Sequence, residues 1–142
     1  YLENLRMTKQ EVKDERKDLE GNPLIKQRIR SVQIEMTRRR MMSAVPEADV
    51  VITNPTHFSI AIKYDMENDA APVVVAKGQN EIAFRIREIA KENNIPLVED
   101  KPLARTLYKN VDVGQLVPAS LYKAVAEILA YVYKLKRKTS NI

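Results

Sequence analysis

Val50-Val51-Ile52-Thr53-Asn54-Pro55-Thr56-His57-Phe58-Ser59-Ile60-Ala61-Ile62 reads as two short apolar strands joined by a turn. Asp49 to Thr53 is rich in β-branched residues. From Phe58 to Tyr64, Phe58, Ile60 and Ile62 alternate with Ser59, Ala61 and Lys63. Both patterns are strand signals, and Asn followed by Pro between them suits a tight turn. The stretch therefore predicts an antiparallel hairpin with one face more apolar than the other. A type I turn is the simpler choice, because Thr56 at the third position disfavours a turn that needs positive φ there.

Downstream of the hairpin, Asp65 to Pro72 is a polar loop and Val73-Val74-Val75-Ala76 is an all-apolar strand suited to burial on both faces, ended by Gly78. Asn80 is placed as the cap of a helix whose buried stripe is Ile82, Ile86, Ile89 and Ala90. Asn93-Asn94 ends that helix, and Ile95 to Glu99 supplies a fourth strand. Val73 to Glu99 is thus a β-α-β unit, expected as a right-handed parallel crossover. A short helix follows at Leu103 to Tyr108. Pro118 opens a last helix with Leu121, Val125, Ile128, Leu129 and Val132 on one side, and its basic tail Lys134–Lys138 is expected to fray. The fold class is α/β: a mixed four-stranded sheet surrounded by helices, with a long N-terminal helical linker.

That linker is residues 1–43, and the globular domain is residues 44–142. In the linker, Thr8 and Glu11 form a capping box for a helix to about Leu19, which is too polar to bury much. Gly21-Asn22-Pro23 stops it. Leu24 to Met42 resumes helical spacing through Ile25, Ile29, Val32 and Met36, with Lys26, Arg28, Arg30 and Arg38-Arg39-Arg40 on the polar side. That basic side reads either as a solvated face or as a contact for lipid headgroups.

The chain has 142 residues, 44% hydrophobic and 30% charged, enough for a real core. Cysteine is absent, which excludes disulfides, thiolate nucleophiles and Cys-ligated metals and fits a reducing compartment. No apolar run approaches a membrane span, and no signal peptide is visible. The first residue is Tyr1 rather than Met, so the chain is read as a fragment, with any membrane helices upstream. Net charge is +5, spread as +2 up to Asn54 and +3 beyond it, which is weak evidence for a dedicated polyanion site. There is no glycine-rich phosphate loop and no metal-spaced cluster, so no cofactor and no metal are expected.

The chemistry lies at Asn54–Pro55. Asparagine usually degrades when the following backbone nitrogen attacks its side-chain carbonyl, but proline has no N–H and closes that route. The side-chain nitrogen of Asn54 can still attack its own backbone carbonyl, forming a succinimide and expelling Pro55 as an amine. This needs a proton acceptor, a fixed attack geometry and a donor for the developing oxyanion. His57, the only histidine, either relays the proton or closes the turn, and water can also serve as acceptor. Thr56 has the weaker claim of satisfying the turn backbone. Asn22-Pro23 is an internal control with the same dipeptide, no hairpin and no histidine.

These motifs are specific. With Thr8-Lys9-Gln10-Glu11-Val12-Lys13, Gly21-Asn22-Pro23, Ala71-Pro72, Val75-Ala76-Lys77-Gly78, Pro102-Leu103-Ala104-Arg105 and Leu121-Tyr122, the chain resembles the cytoplasmic domain of the FlhB/YscU family, the substrate-specificity switch proteins of type III secretion. Ala124-Val125-Ala126-Glu127-Ile128-Leu129-Ala130 looks like the flagellar branch. The resemblance implies an inner-membrane protein whose N-terminal membrane helices precede this domain at the cytoplasmic face, the fragment itself being soluble. It implies a single self-cleavage between Asn54 and Pro55, carried by Asn54, Pro55, Thr56 and His57, with no turnover on other molecules. The cut lets an export gate switch from rod and hook substrates to filament substrates on the signal of a hook-length ruler protein. Expected partners are export apparatus membrane proteins, that ruler, export substrates and the export ATPase complex, with no nucleic acid. The resemblance further suggests a shallow apolar docking patch at Ala71, Pro72, Ala126 and Leu129, whereas periodicity alone packs Ala126 and Leu129 into the core. The rival reading is a basic nucleic-acid-binding domain, supported only by net charge and Arg38–Arg40. A His57 hydrolase lacks a sequence-visible nucleophile–base pair.

Overall fold

The computed structural model of the chain describes residues 21–55 and 57–140, with side chains as far as Arg137. The elements are α1 (Pro23–Ala44), a 3-10 turn (Val45–Glu47), β1 (Val50–Asn54), β2 (Phe58–Lys63), β3 (Val73–Gln79), α2 (Asn80–Glu92), β4 (Leu97–Glu99), α3 (Lys101–Asn110) and α4 (Ala119–Ser140). The helix expected from Thr8 to Leu19 lies outside the described residues. Two compact units divide the chain, residues 1–39 and residues 40–142.

In the first unit, the side chain of Asn22 accepts a hydrogen bond from the Leu24 N–H at 2.9 Å and so caps α1. Ile29, Val32 and Met36, the stripe expected to repeat along this helix, are exposed. Arg39 pairs with Glu35 one turn back, and both are largely in solvent.

The second unit is a mixed sheet in the order β3-β2-β1-β4. β1 and β2 form the expected antiparallel hairpin, with Val50 opposite Ile62 and Asn54 opposite Phe58. β3 runs antiparallel to β2, and β4 runs parallel to β1. β3 and β4 are therefore parallel in direction yet lie on opposite edges, with the whole hairpin between them. Sequence spacing reveals the β-α-β unit but not that insertion.

Alternate residues of the central strands face opposite layers, as the period-2 pleat requires. Val50, Ile52, Ile60, Ile62 and Val74 pack with Leu103, Leu107, Val125, Leu129 and Val132 from α3 and α4. Val51, Ala61 and Ala76 pack with Val45 and with Ile86, Ile89 and Ala90 of α2. β1 is buried along its whole length, because neighbours cover both faces and both edges.

Several expectations are corrected. Burial along β3 alternates instead of being continuous: Val74 is buried in the α3/α4 layer and Ala76 in the α2 layer, on either side of a register shift against Ala61 and Ile62, while Val73 and Val75 stay half-exposed at the sheet edge. Gly78 sits inside β3 and does not end it. A Cβ there would lie 2.2 Å from Ile82 Cγ2, so glycine is what lets α2 pack this closely. Asn80 does not cap α2 with its side chain: the cap position is Gln79, and Asn80 itself has φ 52°. Helical backbone continues through the basic tail to Ser140.

Candidate functional site

The turn after β1 is built from three directions. Thr53 and Asn54, the last residues of β1, are both buried, Asn54 to 8% exposure. Such burial is uncommon for an asparagine and follows from its place at the covered end of the central strand. Pro55 projects from the turn and is exposed, as is His57, while Thr56 lies outside the described residues. The sequence-based choice of a type I turn depends on Thr56 and falls outside them as well.

Across the turn the His57 N–H donates to the Asn54 carbonyl oxygen at 3.0 Å. This closes the four-residue turn as expected for Asn at its first position. It also places a backbone donor on the carbonyl that an asparagine cyclisation would attack. As charge develops on that oxygen, such a donor gains strength without having to reorganise.

The flanks of the turn are held by other elements. The Asp100 N–H donates to the Thr53 carbonyl at 3.0 Å, tying the end of β1 to the start of α3. Asp100 also caps α3, its Oδ1 accepting from the Leu103 N–H at 3.2 Å. On the other side the Asn80 N–H donates to the His57 carbonyl at 3.0 Å. Phe58, directly after the histidine, lies against Tyr108 of α3 with ring centroids 4.7 Å apart. The His57 ring is 6.3 Å from that of Phe58. Tyr108 is itself fixed by Lys77, whose Nζ sits 5.1 Å over its ring, donates to its carbonyl at 2.8 Å and pairs with Asp112 at 3.6 Å. The buried hydroxyl of Ser59 donates to the Ala83 carbonyl at 3.0 Å, joining β2 to α2.

Asn54, Pro55 and His57 are thus brought together on one turn. The docking residues are placed differently. Ala71 and Ala126 are half-buried, whereas Pro72 is buried and Leu129 is 2% exposed within the α3/α4 core layer. Four contributors escape sequence reasoning: Asp100, Asn80, Lys77 and Tyr108. The one signal available was Asn80 in Gly78-Gln79-Asn80, since asparagine is the side chain besides glycine that most readily adopts left-handed backbone. Among the described residues, no cluster of acidic and histidine side chains could hold a metal ion, and no helix is long and apolar enough to cross a membrane.

This sheet order and this turn define a recognisable class. The model of the FlhB HrpN YscU SpaS family matches residues 1–132, and the chain belongs to that family. Flagellar members are among the similar proteins found. The flagellar biosynthetic protein FlhB of Bacillus subtilis is 55% identical over 138 residues, covering 97% of this chain and 38% of the relative. The Escherichia coli protein of the same name is 53% identical over 137 residues, 96% of this chain and 36% of the relative. The chain therefore spans well under half the length of these relatives. Among solved structures, the cytoplasmic domain of FlhB from Shewanella putrefaciens aligns with a TM-score of 0.70 at 46% identity, covering 73% of this chain and 80% of that one.

Proposed function

We propose that this chain is the self-cleaving switch unit of a flagellar type III export protein, cut once between Asn54 and Pro55. The observation that carries the proposal is the His57 N–H on the Asn54 carbonyl, in a turn whose asparagine is buried at the end of the central strand.

The step balances within the chain. The Asn54 side-chain nitrogen gives up a proton to a base and bonds to its own backbone carbonyl carbon. The carbonyl oxygen carries the negative charge of the tetrahedral intermediate, facing the His57 N–H. The bond from that carbon to the Pro55 nitrogen then breaks, and the nitrogen takes a proton and leaves as a secondary amine. Asn54 ends as a succinimide, which water opens. The His57 side chain, two residues beyond the bond that breaks, carries the proton from one nitrogen to the other, since an imidazole can both accept and donate one. Thr56 is the fourth residue of the proposed set.

The two pieces stay paired after the cut. β1 keeps its ladders to β2 and β4, and both core layers span the break. What changes is the turn surface, and partners of the export apparatus read that change as permission to pass filament instead of rod and hook substrates. Relatives named for flagellar biosynthesis and a neighbour described as a cytoplasmic domain support this reading, with residues 1–43 as the linker from a membrane part and 44–142 as the switch unit at the cytoplasmic face of the inner membrane. The export membrane proteins, the ruler protein and the export ATPase complex are the partners in this proposal. Export substrates dock at the surface that Ala71 and Ala126 leave open, with Pro72 and Leu129 supporting it from inside.

N-terminal sequencing of the purified chain tests the cut. A second terminus beginning Pro55-Thr56-His57 is the expected result, and a single terminus at Tyr1 would contradict it.

A further inference from the structure

Asn80 has φ 52°, in the left-handed region that L residues other than glycine and asparagine rarely adopt. It stands where β3 turns into α2, directly after the Gln79 that pairs with Phe58. The turn of the chain aims its N–H at the His57 carbonyl, 3.0 Å away. The same His57 residue donates its own N–H to the Asn54 carbonyl, also at 3.0 Å. His57 is therefore held at both of its backbone polar groups, one by the scissile residue and one by Asn80. Gly78 fixes the other end of this arrangement, because only a residue without Cβ lets Ile82 close against β3 there.

We propose that Asn80 is a positioning residue for the cleavage at Asn54. This deepens the self-cleavage reading and rests on it. The left-handed φ lets the chain turn from β3 into α2 while the Asn80 N–H stays on the His57 carbonyl. That N–H fixes the plane of the His57 peptide, and His57 in turn keeps its donor on the attacked carbonyl. With β3 and α2 both packed, a residue that rejects positive φ passes the change to the peptide before it, which turns the Asn80 N–H away. The donor then drifts, and an attack geometry that tolerates little displacement is lost.

Asn94 supplies the control. It has φ 57° at the end of α2, where the Ile95 N–H returns to the Ala90 carbonyl, and among the described residues no hydrogen bond joins it to the turn. Valine at either position meets the same backbone strain. The experiment follows the appearance of fragments after pulse synthesis of the whole chain, with melting midpoints measured on the same variants. Asn80→Val is expected to slow cleavage by roughly 10- to 100-fold. Asn94→Val, with a similar drop in melting midpoint, keeps the wild-type rate. Asn80→Gly, which accepts positive φ freely, recovers most of the rate, and Asn80→Ala falls between and serves if valine prevents folding. If wild type cleaves and both Asn80→Val and Asn80→Ala match it, the positioning role is overturned while the cleavage reading stands. Equal slowing by Asn94→Val also overturns it, since the effect would then follow stability alone. Absence of cleavage in wild type overturns the underlying reading and this inference together.

Discussion

The His57 amide lies 3.0 Å from the Asn54 carbonyl oxygen, and donates to it across the Asn54–Pro55 bond. One hydrogen bond thus serves both as the closure of a hairpin turn and as a ready donor for an oxyanion. It belongs to the backbone, so it survives a change of side chain.

That separation gives the first prediction. His57→Ala removes the imidazole and keeps the N–H donor. Cleavage should slow by about 100-fold, the lower range for loss of a general acid–base group, and should not stop. Time courses of band intensity measure it. A rate equal to wild type would leave the side chain with no part in proton transfer.

Asn22-Pro23 has the same two residues and should remain whole. The Asn22 side chain is engaged as the cap of α1, accepting from Leu24, and its backbone carbonyl accepts from the Lys26 N–H at 3.0 Å. The carbonyl thus has a donor, as at Asn54, but the side chain that would attack it is held in the cap, and cyclisation would have to break that cap first. Mass spectrometry of aged protein should find no fragment beginning at Pro23, and such a fragment would show that the dipeptide reacts without the hairpin.

The Gly78–Ile82 approach predicts a stability effect. Gly78→Ala would put a Cβ 2.2 Å from Ile82 Cγ2 and 2.7 Å from Ile82 Cβ. Overpacking of this kind destabilises by about 1–3 kcal/mol. Chemical denaturation of Gly78→Ala, compared with wild type in the same cleavage state, measures the difference, and an unchanged midpoint would mean that α2 is free to move away.

The loop after β2 predicts a pH dependence. The Asp65 carboxylate accepts from the Asn68 side chain at 2.7 Å and from the Glu67 N–H at 3.0 Å. The Asn68 bond first, and the Glu67 bond after it, hold the Asp65 carboxyl below its ordinary value. A lowered folded pKa adds stability above the unfolded carboxylate pKa, and that stability is lost as pH falls through the folded value. Acidification below the usual carboxylate range should therefore loosen this loop first. An NMR titration should show Asp65 titrating higher in Asn68→Ala than in wild type. Identical curves would remove Asn68 as the cause.

Much of this site is written in local sequence. The hairpin is legible because Phe58, Ile60 and Ile62 alternate with smaller or polar residues, and because Asn54-Pro55 can only turn. The α2 and α4 stripes are legible for the same periodic reason, and Ile86, Ile89, Ala90, Val125, Leu129 and Val132 all reach the core. What is not legible is set by contacts distant in sequence. Val73 to Ala76 is apolar enough for a central strand, yet packing places β3 at an edge. Asp100 reaches Thr53 only because β4 settles parallel to β1. Nothing local to Lys77 announces its contact with Tyr108, which lies on α3 far along the chain. Asn80 reads as a side-chain cap, but the close approach of α2 to β3 gives its backbone another task.

The central claim is that the chain cuts itself at Asn54–Pro55. A denaturing gel of the purified protein beside Asn54→Ala tests it most directly. Wild type should give two bands of about 6 and 10 kDa, dividing 16.3 kDa by residue count, that migrate together without denaturant. Asn54→Ala should give one full-length band. A wild-type chain that stays whole after long incubation, or an Asn54→Ala chain that still divides, would contradict the account.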